Sequence, residues 1–476
     1  MKYKSTRGGV TGSSFEDALF AGYAPDGGLY VPEVLPEIPK DLLASWKTSP
    51  PKYQQVVLEI VKLFVSEDEV PKNVLENCVT QAYKEFDTSK VIEIHDCKDT
   101  SGTDYKVVEL FHGKTKSFKD YAMSLVGRLL QYFVGKRSSH ATILVGTSGD
   151  TGSAAIEAVK GLKGLDIIVL YPKGKISEVQ ELQMITVTDD NVHVFATEGT
   201  SDDLDVPIKK CFPSPGLISI NSINWARIMI QIAHYVYLST LEQLQPIDIY
   251  VPTGAAGNLS AGLLASLMGI PVNLYSATNL NDTVEMLINK GKVAFGGEVI
   301  ESYSNAMDIR HPYNCERVLY FLSDSKTVAG IMKNDDESES MIPADLHEKL
   351  KKYIKGALKV DTPTTLETIR ECWKLNKYMI CPHTATAVAF CIKTNKEKVD
   401  GINKLKSYVI ATASPEKFPD AAKAAELSSI DCNYNLANGL LQELKSRERK
   451  EPKLMKKGEN WFEILQAEIK LVSAPK

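Results

Sequence analysis

From about residue 140 onward, the chain alternates short apolar runs rich in Val, Ile and Leu with segments of helical periodicity. Runs of this kind are typical of strands buried on both faces of a sheet, and the helices between them supply the right-handed crossovers that parallel strands need. The pattern therefore predicts an α/β fold with mainly parallel sheet. The predicted strands occupy residues 141–146, 166–172, 248–254, 271–278 and 407–413.

The remaining segments predict a core helix and two less regular regions. Residues 224–244 carry an apolar stripe at helical spacing, which predicts a long helix facing the core. Residues 321–348 are polar, and we expect them to form a surface excursion before another helix at about 364–377. Beyond about residue 426 the chain is charged and weakly patterned.

The composition is that of a globular protein with more than one domain. The 476 residues exceed what one hydrophobic core usually serves, and 43% of them are hydrophobic. The net charge of −5, from well-mixed acids and bases, predicts no nucleic-acid surface. The eight cysteines form no C-x-x-C pair, and neither an export signal nor a membrane-spanning run is visible. We therefore expect a cytoplasmic protein with reduced thiols, no bound metal and no membrane contact.

Lys119 stands between an aromatic residue and a carboxylate in the stretch HGKTKSFKDYAMSLVG, at the start of a helical pattern. A lysine on a helix usually lays its stem on apolar surface and keeps its ammonium in water. An amine drawn towards the apolar stripe would instead be desolvated, so its pKa would fall and it would become nucleophilic. A lysine that bonds to a carbonyl cofactor requires that second environment. Both interpretations are open at this point.

Two glycine-rich loops, GTSGDTGS at 146–153 and PTGAAGNLSAG at 252–262, each follow a predicted strand and open a helix. Ligands of open α/β folds bind at this edge of the sheet. Free backbone N–H groups and the positive end of the helix dipole make such a loop suitable for an anion. Either loop alone could equally be a tight turn with a helix cap.

The residue types in the two loops favour two different anions. Gly254 and Gly257 let the backbone approach a phosphate closely, whereas Ser148, Asp150 and Thr151 place short polar groups beside exposed amides, which suits a carboxylate. Neither loop matches a Walker or a dinucleotide-binding motif. Two non-nucleotide anion loops and one candidate amine together favour a small phosphorylated aldehyde cofactor, pyridoxal 5'-phosphate (PLP).

Ordered blocks along nearly the whole chain match a known family. The blocks are STRG with GYAPDGGLYVPE, HGKTKSFKD, GTSGDTGSAA, YPKGKISEVQELQM, NSINWARIMIQ, VPTGAAGN, ATNLND, PHTA and ATASPEKFPDA. They resemble the threonine synthase family of fold-type II PLP enzymes, and most closely its threonine synthase-like 2 branch. The resemblance implies two mainly parallel open sheets flanked by helices, as in the β subunit of tryptophan synthase.

The same resemblance implies a division into domains and a partner. An N-terminal domain of the threonine synthase type is expected at residues 1–95, and a PLP-binding catalytic region of two α/β subdomains at 96–425. The smaller subdomain would span about 116–225, and residues 426–476 would form a C-terminal extension. The expected partners are a small phosphorylated amino-acid substrate and a second copy of the chain in a homodimer.

Carried across residue by residue, the resemblance assigns a cofactor site. Lys119 resembles the lysine that bonds covalently to PLP. Thr384 resembles the hydroxyl that meets the pyridine nitrogen, and a neutral partner leaves that nitrogen largely unprotonated. One resemblance is to the family's loop that grips the ring hydroxyl and the substrate carboxylate, and it falls on Ser148, Gly149, Asp150 and Thr151. Another is to the cradle for the cofactor phosphate, and it falls on Gly254, Ala255, Ala256, Gly257 and Asn258.

A substrate phosphate needs its own cationic partner. A phosphate dianion suits a planar guanidinium supported by short donors. Arg227 and Lys175 are the cations that could bind it. The alternative interpretation makes Arg227 a surface residue of the long helix and Lys175 a solvated charge. His383 is interpreted as a packing or capping residue, and His112 as a residue that either orients its loop or takes part in the site. The candidates for the substrate phosphate are Asn221, Ser222, Asn224, Arg227 and Lys175.

The chain departs from the family pattern inside the cofactor loop. Threonine synthases commonly carry an Asn-Phe pair where this chain has Ala255 and Ala256, a feature that it shares with the threonine synthase-like 2 branch. That branch implies a phospho-lyase that converts O-phosphohomoserine or O-phosphothreonine into 2-oxobutyrate, ammonia and phosphate. Two alternatives stay open: a threonine synthase that adds water to give threonine, and a non-catalytic phospho-amino-acid binding protein or secreted factor.

Overall fold

The computed structural model describes residues 1–212, 216–333, 339–397, 405–427 and 434–473. The strands of this described chain are β1 (Tyr3–Ser5), β2 (Tyr30–Pro32), β3 (Glu93–Lys98), β4 (Asp104–Glu109), β5 (Ala141–Gly146), β6 (Leu165–Pro172), β7 (Val192–Thr197), β8 (Leu217–Ile218), β9 (Ile247–Pro252), β10 (Val272–Thr278), β11 (Lys292–Val293), β12 (Ser340–Met341), β13 (Ile354–Lys359), β14 (Lys406–Ala411) and β15 (Lys453–Met455).

Helices cover the sheets on both sides. They are α1 (Phe15–Phe20), α2 (Lys40–Thr48), α3 (Tyr53–Phe64), α4 (Lys72–Tyr83), α5 (Lys119–Arg137), α6 (Asp150–Val159), α7 (Glu178–Ile185), α8 (Asp205–Cys211), α9 (Trp225–Leu241), α10 (Gly257–Leu267), α11 (Thr283–Lys290), α12 (Cys315–Leu322), α13 (Ser325–Met332), α14 (Ala344–Tyr353), α15 (Thr362–Asn376), α16 (Pro382–Glu397), α17 (Pro419–Ala424), α18 (Tyr434–Ser446) and α19 (Trp461–Val472). Three short 3₁₀ helices lie at Asp202–Leu204, Asn305–Met307 and Pro415–Lys417.

Two open sheets organise the fold. The smaller sheet has five parallel strands in the order β15-β7-β6-β5-β8. The larger has six strands in the order β13-β10-β9-β14-β4-β3, and within it β3 and β4 run antiparallel to each other. The predicted α/β fold of the fold-type II class is confirmed. Residues of β5, β6 and β9 are buried almost without exception, as expected for strands with helices on both faces.

The predicted strands and the long helix lie where the apolar patterns indicate. The run at 141–146 coincides with β5, and the other four runs differ from β6, β9, β10 and β14 by at most two residues at either end. The helix predicted at 224–244 is α9, with nearly all of its side chains buried. The hairpin of β3 and β4 has no such signal, because only one residue of the polar β3 is buried.

The prediction of a surface excursion at 321–348 is wrong for the described part of that segment. It contains α13 and the beginning of α14, and the side chains of Val328 and Leu346 are buried in the main core. α13 is only eight residues long, and α14 has a narrow apolar face among charged residues, so the segment looks polar as a whole. Residues 334–338 of the predicted excursion lie outside the described residues.

The segment beyond residue 426 contributes to the smaller sheet. β15 pairs with β7 in parallel, and α19 packs Leu465 and Ile469 into a core cluster with Phe195 and Leu204. β15 has only three residues and leaves no strand pattern in the sequence, whereas the apolar face of α19 is visible in WFEILQAEIKLV and is a signal that sequence reasoning missed. Residues 428–433, in the same segment, lie outside the described residues.

Membrane-spanning helices, groups of metal-binding side chains and disulfides are all absent from the described ranges. No helix there combines the length and apolar character needed to cross a bilayer. No group of three or more His, Cys, Asp or Glu side chains in these ranges has the geometry to hold a metal ion. The seven cysteines of the described chain are buried and form no disulfide.

Candidate active site

A cavity opens at the carboxyl ends of strands from both sheets. Loops that follow β5, β9 and β14 line it, together with the first residue of α5 and the segment 306–309. Its empty space, including the mouth, is about 690 Å³, a size suited to a cofactor with a small substrate. The fold thus brings loops that are far apart in the sequence to one place, the switch point where open α/β folds bind ligands.

Lys119 projects its amine into this cavity. Its side chain is only 12% exposed, and Nζ lies 3.7 Å from Oδ2 of Asp150 and 4.8 Å from the centre of the Phe118 ring. Burial lowers the pKa of Lys119 to about 8; the Asp150 carboxylate opposes this shift, whereas the charges of Arg227 and Lys417 add to it. A useful fraction of the amine is therefore neutral near physiological pH, as a nucleophile requires.

The loop before Lys119 is held by local hydrogen bonds. The buried carboxylate of Asp120 accepts from the Thr115 backbone N–H at 2.9 Å and from the Thr115 hydroxyl at 2.7 Å. Phe118 donates its backbone N–H to the Thr412 carbonyl at 2.8 Å, next to a β-bridge that joins the same two loops. These contacts hold the backbone from which the Lys119 side chain projects.

The turn before α10 presents unused backbone donors to the cavity. Ala256 occupies the helix N-cap with φ of 58°, and no side chain caps the helix. Among the described residues, the backbone N–H groups of 254–258 have no hydrogen-bond acceptor. A Cβ atom on Gly254 would lie 3.0 Å from the Ala306 carbonyl oxygen and 3.1 Å from Cα of Met307. The bare turn therefore fits the phosphate of PLP, which would supply the missing acceptors.

Asn258 can serve an anion only through its backbone. Its Nδ2 donates to Oε1 of Gln231 at 2.9 Å, and its Oδ1 accepts from the Tyr235 hydroxyl at 2.7 Å. The side chain thus ties α10 to α9. Ala255 also has a structural contact, because its carbonyl accepts the backbone N–H of Asn314 at 3.2 Å.

Asp150 is the centre of a buried polar network. Its Oδ1 accepts from Nζ of Lys417 at 2.9 Å and from Nε2 of Gln180 at 2.9 Å. Burial alone would raise the pKa of Asp150, but the ammonium groups of Lys417 and Lys119 outweigh it and hold that pKa below its usual range. Sequence reasoning missed Lys417 and Gln180. The only signal for Lys417 was its position in ATASPEKFPDA, just after a predicted strand.

His383 lines the cavity as a neutral, packed side chain. Burial lowers the pKa of His383 to about 3, and its Nε2 accepts the backbone N–H of Ala306 at 3.1 Å. Thr384 is fully buried one residue further along α16, and its hydroxyl lies 3.1 Å from Sγ of Cys381. Thr384 does not itself line the cavity. Its partnership with a cofactor ring nitrogen stays a prediction.

Of the residues expected to hold a substrate phosphate, Arg227 and Ser222 line the cavity. Arg227 is buried, not on the helix surface, and its Nη1 donates to the Ile220 carbonyl at 2.8 Å. Its buried Nε has no hydrogen-bond partner among the described residues. Burial lowers the pKa of Arg227 to about 10, so the guanidinium stays charged at neutral pH.

The other three candidates lie behind or outside the cavity wall. Asn224 is fully buried as the N-cap of α9, and Asn221 donates to the Gly146 carbonyl at 2.8 Å. Lys175 forms an ion pair with Glu301 at 3.0 Å at the surface. None of the three lines the cavity, so Arg227 is the cation best placed to meet a second anion.

The loop expected to grip a carboxylate is partly exposed to the cavity. Ser148 and Thr151 line it, whereas Gly149 faces the side chain of Gln180 instead. Gly149 has φ of 133°, and a Cβ there would meet Gln180 atoms at 2.4 Å, so only glycine fits. Its N-cap position leaves the first turn of α6 without a side-chain cap.

Comparisons with known proteins agree with this geometry. The family model for the threonine synthase N terminus matches residues 2–83, and that for pyridoxal-phosphate dependent enzymes matches residues 91–404. Threonine synthase-like 2 from Xenopus laevis is 40% identical over 491 aligned residues, which cover 100% of each chain. The crystal structure of threonine synthase from yeast has a TM-score of 0.88 at 29% identity, covering 99% of each chain. PLP-bound threonine synthase from Brucella melitensis has a TM-score of 0.85 at 32% identity, covering 100% of each chain.

Matches over the whole length, at this identity, establish the family. The local chemistry agrees with them, because the open amide turn at 254–258 suits a phosphate and the Lys119 amine suits an aldehyde. The chain belongs to the threonine synthase family of enzymes, and its cofactor is pyridoxal 5'-phosphate.

Proposed function

We propose that this enzyme is a phospho-lyase that converts O-phosphohomoserine or O-phosphothreonine, with one water, into 2-oxobutyrate, ammonia and phosphate. The observation that carries the proposal is that the Lys119 amine and the open amide turn at 254–258 face one cavity that also holds the Arg227 guanidinium. Net positive charge around a low-pKa amine suits a doubly anionic amino-acid phosphate. The full-length match to threonine synthase-like 2, the branch for which a lyase is expected, supports the same assignment.

PLP, when bound, supplies an electron sink for negative charge that develops on the substrate carbons. Lys119 is the group that we assign to proton transfer at the substrate α-carbon, because its pKa of about 8 leaves the neutral amine available. The nearby Asp150 stays ionised and offers an acceptor for the ring hydroxyl. The neutral His383 accepts a backbone hydrogen bond and is not assigned a proton-transfer role.

The two anionic groups of the substrate have separate places. Arg227 and Ser222 both line the cavity and are assigned to the phosphate, since a buried guanidinium forms strong charge-assisted hydrogen bonds. Ser148 and Thr151, at the start of α6, are assigned to the carboxylate, which also benefits from the helix dipole. Binding at both ends orients the carbon between them towards Lys119.

The wall of the cavity favours elimination over the addition of water. Threonine synthesis requires a water molecule held beside the substrate β-carbon. Along one stretch the wall consists of Ala255, Ala256, Ala306, Met307 and Ile309, whose side chains can neither donate nor accept a strong hydrogen bond. These side chains would not hold water in a fixed position beside the substrate. The unsaturated product would then be released and hydrolysed.

A product assay tests the proposal against its alternatives. Purified protein with PLP is incubated with each phospho-amino acid, and phosphate, 2-oxobutyrate and threonine are quantified. The lyase produces 2-oxobutyrate and phosphate in equal amounts; threonine equal to phosphate without 2-oxo acid would identify a threonine synthase. Absence of phosphate release from either compound would favour a binding protein. A cytoplasmic location and a homodimer stay predictions.

A further inference from the structure

The carboxylate of Asp150 lies between two lysines at unequal distances. Nζ of Lys417 is 2.9 Å from Oδ1, whereas Nζ of Lys119 is 3.7 Å from Oδ2. The Lys417 side chain is completely buried, and its ammonium also donates to the Thr115 carbonyl at 2.7 Å. Asp150 is itself 2% exposed. The closer counter-ion of the carboxylate is therefore Lys417, and Lys119 is the weaker partner.

The two backbone segments that carry Lys119 and Lys417 are hydrogen-bonded to each other. Lys417 ends the 3₁₀ helix Pro415–Lys417, and the hydroxyl of Ser414 accepts the backbone N–H of Glu416 at 3.3 Å. Ser414 in turn donates its backbone N–H to the Lys116 carbonyl at 3.0 Å, in the loop that leads to Lys119. A shift of one lysine relative to the other would break these contacts. Their spacing around Asp150 is thus built into the fold.

The unequal distances matter because a buried carboxylate needs a cation. With Lys119 as its only cation, Asp150 would hold that lysine as an ammonium, since charge pairs are strong where water is excluded. Lys417 satisfies the carboxylate and also repels a proton on Lys119. The other charged or titratable groups facing Lys119 are the Arg227 guanidinium and the neutral His383. The guanidinium disfavours an ammonium on Lys119, and the neutral ring leaves it unaffected.

We propose that Lys417 is a positioning residue that holds Asp150 in place as its permanent counter-ion, so that the Lys119 amine can lose its proton inside the cavity. The inference rests on the role proposed for Lys119 and not on which product the enzyme releases. It assigns no contact between Lys417 and substrate. Lys417 acts through Asp150, and its loss should alter the amine even when no cofactor is present.

Competitive labelling of the cofactor-free full-length chain measures the amine directly. The rate at which Lys119 is acetylated by acetic anhydride is followed against pH by peptide mass spectrometry. In the parent the midpoint is expected near pH 8. Lys417→Met should raise it by about one pH unit or more, because a repelling cation is lost and Asp150 turns to Lys119. Lys417→Arg keeps the charge and should lie closer to the parent.

A matched control separates this effect from the loss of any paired lysine. Lys453 is paired with the buried carboxylate of Glu468 at 2.5 Å, away from the cavity, and Lys453→Met should leave the midpoint unchanged. A midpoint in Lys417→Met that equals the parent's, or falls below it, overturns the proposal. This measurement involves no product. Its result would therefore be the same if the enzyme made threonine instead of 2-oxobutyrate.

A second measurement covers the case in which Lys417→Met folds poorly. The lone substitution deprives a buried carboxylate of its closer cation, which is destabilising. Adding Asp150→Asn removes that charge, so the double variant should unfold at a higher urea concentration than Lys417→Met alone. If the second substitution restores no stability, Lys417 does not serve as the counter-ion of Asp150 and the proposal fails.

Discussion

Nε2 of His383 accepts a hydrogen bond from the backbone N–H of Ala306 at 3.1 Å. This contact ties the start of α16 to the segment 306–309, which lines the cavity. Since a nitrogen that accepts cannot carry a proton, the ring is held in the Nδ1–H form. The low pKa of His383, caused by burial, agrees with a neutral ring. Its role is to hold the cavity wall.

The activity of His383 variants should therefore depend on whether the new side chain can accept a hydrogen bond. His383→Gln offers a side-chain oxygen and should retain most of the phosphate-release activity, whereas His383→Ala should raise the KM for the substrate several-fold as the wall loosens. The pH-rate profile of the Gln variant should keep the parent's shape, because a neutral ring contributes no ionisation between pH 5 and 9. Loss of the acidic limb in that variant would show that His383 acts as an acid or base.

The cofactor turn should not tolerate a side chain at Gly254. In Gly254→Ala the new Cβ would press on the Ala306 carbonyl at 3.0 Å, and the turn would have to move away from the phosphate. We expect PLP to bind at least about tenfold more weakly, as measured by fluorescence titration of cofactor-free protein. Gly135 in α5 is the control, because a Cβ added there would meet nothing within 4 Å. Gly135→Ala should leave PLP affinity unchanged and stabilise the protein by up to about 1 kcal/mol. Equal affinities of the two variants would contradict the phosphate cradle.

Two buried arginines should respond differently to the same substitution. Arg227 leaves Nε unpaired and lines the cavity, so Arg227→Met should raise the KM for phospho-amino acids about 10- to 100-fold with a smaller change in kcat. Arg317 donates to the carbonyls of Tyr30, Ser222 and Ile223 and does not line the cavity. Arg317→Met should therefore lower the free energy of unfolding by about 3 kcal/mol or more. An unchanged KM in Arg227→Met would remove that residue from the phosphate site.

His112 should stabilise the protein in a pH-dependent manner. Its two ring nitrogens lie 2.6 Å from Asp87 and 2.8 Å from Glu109, so both donate and the ring is protonated. Burial lowers the pKa of His112, but the hydrogen bonds and charges of these carboxylates outweigh it and raise that pKa. A raised pKa means that the stabilisation is complete below the unfolded value of about 6.5 and is lost as the pH rises through the folded value.

Urea unfolding of His112→Asn and the parent at pH 6 and pH 9 measures this contribution. The difference in unfolding free energy should be about 1–2 kcal/mol at pH 6 and clearly smaller at pH 9, with Asp87 partly exposed. The control is His347→Asn, because the partner of His347 is the neutral carbonyl of Ile288 at 2.9 Å. This substitution removes no ion pair at either pH value. A His112 difference that grows with pH would reverse the sign and reject the ion-pair account.

The sequence predicts those parts of the fold that depend on local pattern. The strand at 141–146 is recognisable because six consecutive residues are apolar or β-branched, and the turn at 254–258 because glycine and alanine follow a strand. β13 and the polar β3 lie at the edges of the larger sheet, where one neighbour suffices and the apolar pattern is weak.

A candidate site residue can be recognised in the sequence where its motif indicates its chemistry, as for Lys119, which lines the cavity. Lys417 was not recognisable, because its importance comes from contacts with Asp150 and with Thr115, which lies 302 residues earlier. Lys175 shows the opposite case. A lysine in a suitable motif lies at the surface, where Glu301 holds it. Only the tertiary arrangement decides between such lysines, since isolated surface charge pairs and buried ones look alike in sequence.

Reductive trapping tests most directly whether Lys119 is the lysine that bonds to PLP. The purified enzyme with PLP is treated with borohydride, digested, and mapped by mass spectrometry for the pyridoxyl group. We predict one dominant label, on Lys119, and loss of the visible absorbance in the same step. A label on Lys417 or another lysine, with Lys119 unmodified, would contradict this assignment.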